Sequence, residues 1–243
     1  MPSPFAPDLF DHAAAQMGSR LRRVRTPHQM MAALGWGMEQ LDRTYAATPT
    51  EVLANVACGA GCASCCHVPV DVQAHEVFLA AHHIQRHFSP DQLDAAIRRL
   101  SFHRDRVASF TVGERDASRQ PCALLLAGDC SIYAARPQPC RAHHTSDADA
   151  CDANMTEPTH DITRVYIPAL RARMFAVMLG IDEALESAGY DERSYDFGSA
   201  LHEALTNGFC LGSWMNRQAA FPDACLADRA EPALTRPAPG PTL

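Results

Sequence analysis

Residues 58–66 read Cys58-Gly59-Ala60-Gly61-Cys62-Ala63-Ser64-Cys65-Cys66, four thiols in nine positions with two glycines keeping the backbone pliable between them. Working outward, residues 121–144 (PCALLLAGDCSIYAARPQPCRAHH) supply Cys122, Cys130 and Cys140, and Cys151 follows. Eight of the ten cysteines therefore fall in two bursts. Thiolates at short spacings hold soft or borderline metals, because one loop turns several sulfurs inward at small entropic cost. Metal binding is the expected use of the eight, with disulfide pairing and inert buried thiols as the alternatives. Cys210 and Cys225 stand apart and read as ordinary core residues.

The 243 residues, 47% hydrophobic, suffice for one sizeable core. A formal net charge of -7 lacks the basic stripe that phosphate neutralisation needs, so no nucleic-acid partner is expected. The N-terminus places Asp8 and Asp11 ahead of its basic cluster and has no apolar h-region, and no run approaches membrane-spanning length. No membrane association is expected, and the cytoplasm is the expected compartment. There thiols stay reduced, which favours metal over structural disulfides.

Helical signals surround the cysteine bursts. Thr26 is an N-cap with Pro27 at the first helical position, opening a helix that buries Met31, Leu34, Met38 and Leu41. Beyond Pro69, Val77, Phe78, Ala81, Ile84 and Phe88 recur at helical spacing. Ser89-Pro90-Asp91-Gln92 is a capping box starting a helix to about Phe110, so an antiparallel helix pair is expected here. Residues 121–159 lose helical periodicity, and short extended pieces are expected at CALLL and CSIYA. Helical texture returns after Pro168, stops at Gly189, and recurs near 197–206 and 213–220. The expectation is a mainly α protein, with a helical frame around a loop-rich cysteine lobe and at most short strands. Its expected parts are a flexible arm at 1–25 with a short helix around Asp11 to Arg23, a single domain at 26–228 with the lobe at 58–67 and 121–152, and a disordered tail at 229–243.

Eight sulfurs suffice for two four-coordinate zinc ions, or for one four-iron cluster with four thiols left over. The neighbours Cys65 and Cys66 tend to point apart, so at most one is expected on a given metal. A four-thiolate zinc or cluster carries a formal charge of about -2, and Arg136 and Arg141, flanking Cys140, are the expected compensating donors. His83 and His87 form an i, i+4 pair, but helical projection puts them on the solvent side near Glu76; His143, His144 and His67 lie nearer the cysteines. No GxSxG, P-loop, HExxH or dinucleotide fingerprint is present.

The pattern CxxxCxxCC, one further cysteine, CSIYAARPQPCR and a final cysteine resembles the YkgJ-type CxxCxxCC cysteine-cluster family of zinc- or iron-chelating domains. Residues 130–141 carry the most specific part, and the resemblance spans about Cys58 to Cys151. It departs at the start, where three residues rather than two separate Cys58 from Cys62. The resemblance implies that Cys58, Cys62, Cys65, Cys66, Cys122, Cys130, Cys140 and Cys151 are metal ligands. Two functions are carried forward. One is a metalloprotein binding iron, as a 4Fe-4S cluster, or zinc, in a sensing, structural or electron-transfer role. The other is an iron-sulfur protein-modifying enzyme resembling the flagellin lysine N-methylases, with a protein substrate.

Overall fold

The computed structural model describes residues 6–59, 61–158 and 161–228. The frame begins with α1 (Pro7–Leu21) and α2 (Pro27–Ala46), followed by the short α3 (Thr50–Leu53). After the cysteine knot come strand β1 (Asp71–Val72), α4 (Ala74–His87), α5 (Pro90–Val107) and α6 (Val112–Ala117). The lobe then contributes strands β2 (Leu125–Leu126) and β3 (Asp129–Cys130) and helices α7 (Gln138–Ala142) and α8 (Ala148–Thr156). The chain returns to the frame with α9 (Pro168–Ser187), strand β4 (Tyr195–Asp196), α10 (Phe197–Thr206) and α11 (Cys210–Met215). The mainly α architecture matches expectation, and the strands form two antiparallel two-strand ladders.

Local signals act where the sequence placed them. The Thr26 hydroxyl accepts from Gln29 N at 3.2 Å, and Ser89 and Gln92 cap α5 reciprocally. α9 ends in a Schellman turn, with Gly189 at φ +78° and Tyr190 N donating to Leu185 O at 3.0 Å.

Three expectations are corrected. The arm expected to be loosely held, with a short helix around Asp11 to Arg23, instead forms α1 from Pro7, which packs along α9 and buries Ala13, Met17 and Leu21. Gly180 permits this approach, since a Cβ there would meet Phe10 O at 2.5 Å. The expected α4–α5 pair does not pack face to face; α10 lies against both helices. The polar α5 buries few side chains, Ala96, Leu100 and Val107, and these are covered when the more apolar α10 docks. Glu76, projected onto the solvent side, is buried inside the capping box that starts α4. The tail expected to be disordered lies outside the described residues.

One hydrophobic core joins α1, α2, α4, α9, α10 and α11, with Met30, Leu34, Leu41, Ile84, Leu170, Met174 and Trp214 at its centre. Leu124 and Ile132 of the lobe reach into it. The β1–β4 ladder seats the end of the first cysteine segment against the start of α10, setting Asp71 opposite Asp196. Buried Arg115 bonds both carboxylates and so removes their cross-strand repulsion.

Candidate metal centre

The first cysteine segment folds as a tight turn followed by a 3-10 turn at Ser64–His67. Gly61, at φ +81°, takes a backbone conformation that other residues resist, and Cys62 N closes the turn onto Gly59 O at 3.1 Å. Cys66 O then accepts from Cys122 N at 2.7 Å, which joins the two cysteine bursts through the main chain. Beyond Cys122, Ala127 and Gly128 both have positive φ and make the hairpin turn between β2 and β3. The hairpin returns Cys130 opposite Leu125. Cys140 sits on α7, which Pro137 and Pro139 start and stiffen.

Cys151 rides on α8, a helix not legible from periodicity. Its N-cap Asp147 accepts from Asp149 N and Ala150 N at 2.9 and 3.2 Å, and this aspartate was the available signal. Buried Thr145 ties α8 to the first segment: its hydroxyl is 3.3 Å from Cys151 Sγ and 3.9 Å from Cys58 Sγ. Ser64 Oγ adds a 2.5 Å bond to Asp152.

Cys66, Cys122, Cys130 and Cys140 interact electrostatically with one another, while Cys151 interacts with Cys58 and Cys62. Cys65 senses Cys66 most strongly, then Cys140 and Cys62. Burial, reinforced by Cys66 and Cys130, pushes the Cys122 thiol up to about 11, and burial with the same kind of neighbours raises Cys140 further. Cys66 moves the other way, to about 7, because the Cys65 thiol donates to it. Each of the ten cysteines is a free thiol. Among the described residues, no group of three or more Cys, His, Asp or Glu side chains is disposed to hold a metal ion as it stands. The donor set nonetheless suits one, since burial and like charge oppose thiolates that a bound cation would stabilise.

The two arginines differ in placement. Arg136 stacks on Tyr133 at 3.9 Å, donates to Tyr133 O at 2.9 Å, and carries the charge that favours the Cys130 thiolate. Arg141 is buried, with its guanidinium taken by Asp42, Arg136 O and Ala134 O. Of the histidines, His144 stacks on Tyr45 at 4.9 Å and His143 stands edge-on to Tyr166 at 5.4 Å. His67 is 3.1 Å from Ala63 O. His83 and His87 stack on each other, with His87 exposed and His83 half-buried.

Sequence reading missed the polar support beneath α7. Glu76 accepts from Gln138 N at 2.7 Å, and the Gln138 amide reaches His75 Nε2 at 2.7 Å. Two residues later the chain presents Cys140, so a frame helix fixes where that sulfur stands. Cys210 and Cys225 are buried in the core as expected. Among the described residues, no helix is long and apolar enough to cross a membrane. No curated protein and no solved structure matches this chain. Residues 57–161, which hold all eight clustered cysteines, match the model of the CxxCxxCC family, whose description is "Putative zinc- or iron-chelating domain".

Proposed function

We propose that this protein is a thiolate metalloprotein that binds iron as a 4Fe-4S cluster, in preference to zinc, in a sensing, structural or electron-transfer role. One observation carries the reading: the Cys122 N–Cys66 O bond joins the two cysteine bursts, and Cys66, Cys122, Cys130 and Cys140 lie near enough to sense one another's charge. Four thiolates are the usual complement of a four-iron cluster, and these four cysteines are half-buried. The other clustered cysteines, Cys58, Cys62, Cys65 and Cys151, are assigned to a further centre. Arg136 supplies compensating charge beside Cys130, and Arg141, tied to Asp42, fixes the short helix that presents Cys140. When bound, such a cluster supplies a one-electron couple tuned by hydrogen bonding and exposure; the chain's part is to hold the sulfurs, exclude water and balance charge.

Anaerobic purification with metal analysis and an absorption spectrum tests this. A brown protein with a broad band near about 400 nm and matching iron is expected; a colourless protein with stoichiometric zinc would overturn the choice of metal. Cys130→Ser or Cys140→Ser should remove most of the metal assigned to the first set, Cys151→Ser that of the second, and Cys225→Ser none. Equal metal content in all four variants would defeat the ligand assignment.

A further inference from the structure

A cleft of about 400 Å³ lies between α5 and the shoulder of the cysteine lobe. Its volume is within the range of about 300–1,000 Å³ typical of small-molecule sites. One wall is a stripe of α5, where Arg98, Phe102 and Arg106 recur every four residues and so share a face, with Phe110 just beyond the end of the helix. The opposite wall comes from both cysteine-bearing segments, with Val68 and Val70 following Cys66, and Cys122 and Leu125 from the second burst.

The charge in this cleft is unbalanced. Asp196 is the one carboxylate among its lining residues, and it is consumed by Arg115, His103 and Ser199. Arg99 is spent on Ala123 O at 2.8 Å. Arg98 and Arg106 line the cleft as well, and among the described residues neither side chain has a hydrogen-bond or ion-pair partner. Phe102 is 69% exposed, an unusual position for a phenylalanine on an otherwise polar helix. Two uncommitted guanidinium groups, in a chain with a net charge of -7, sit beside apolar and aromatic surface.

We propose that this cleft binds a small organic carboxylate with an aromatic or short aliphatic body. The carboxylate pairs with Arg106, the body lies between Phe102, Phe110 and the Val68–Val70 wall, and Arg98 adds positive potential at the mouth. A charge-assisted guanidinium–carboxylate pair selects the anion, and apolar burial holds the rest of the ligand. The inference stands apart from the metal reading, because none of its binding groups is a proposed ligand of the metal.

Isothermal titration of the metal-loaded full chain with benzoate and hexanoate, and with neutral benzamide as control, tests it. Saturable one-site binding of at least one carboxylate is expected, with benzamide at least tenfold weaker. Arg106→Gln should weaken carboxylate binding at least tenfold, Arg98→Gln a few-fold, and Arg106→Lys should restore part of it. No saturable carboxylate binding, equal binding of benzamide, or an Arg106→Gln protein within twofold of the parent overturns the proposal. The benzoate–benzamide comparison on the parent protein decides even where a variant fails to fold. Metal content measured on the same samples keeps a failure here distinct from a failure of the metal reading.

Discussion

Glu76 is a carboxylic acid shut away from water, and its environment sets its protonation. Burial, with Asp182 nearby, pushes it up to about 8, against the bonds it accepts from Gln73 N and Gln138 N. Its folded pKa is raised, so its contribution is complete below the unfolded value near 4.5 and is lost as pH climbs towards about 8. Glu76→Gln should therefore flatten the fall of stability between about pH 4.5 and 8, measured by urea unfolding across that range. An unchanged slope would mean that Glu76 does not carry the titration. Gly198 makes a different point about single residues. A Cβ there would lie 2.3 Å from His103 Cδ2, so the absence of a side chain lets His103 reach Asp196 at 2.9 Å. Neither role is written in the local sequence, because a glycine in a helical pattern or an acid at a capping position reads the same whatever packs upon it.

Helices whose signals are local came out near their expected limits. α2, α5, α9 and α10 carry an N-cap, a proline at the first turn or both, and such devices act within a few residues. α8 has a weak apolar stripe and depends on the Asp147 cap and the Thr145 contacts, so periodicity alone did not reveal it. The docking of α1 turns on a backbone approach at Gly180 that no hydrophobic count discloses. Gly180→Ala should force the two helices apart and destabilise the protein by about 1–3 kcal/mol, the usual cost of overpacking, seen as a lowered denaturation midpoint. Gly212→Ala, on α11 with open space around it, is the matched control and should cost nothing measurable. Equal behaviour of the two variants would remove the close approach as the reason for the α1–α9 pairing.

Across the whole molecule, frame and lobe depend on different forces. The core of α1, α2, α4, α9, α10 and α11 is apolar and continuous, whereas the lobe is built of turns, two-residue strands and short helices around the thiols. Bound metal is then expected to stabilise the lobe locally, since metal-binding energy becomes folding energy where few other contacts exist. Stripping the metal with a chelator should abolish hydrogen-exchange protection across 58–67 and 121–156 while α2, α9 and α10 keep theirs. Collapse of protection everywhere would show that the metal holds the entire fold. The sequence by itself determined the helical class and most frame helices, and it pointed to the eight clustered cysteines on which the metal proposal rests, because capping, periodicity and thiol spacing are local properties of the chain. The tertiary structure alone decided that α1 docks, that α10 lies against both α4 and α5, that the two cysteine bursts meet at Cys66 and Cys122, and that a positively charged cleft lies beside them. These depend on contacts between residues tens of positions apart, such as Cys66 with Cys122 or Arg115 with Asp196, and no short-range pattern specifies which distant partners will meet.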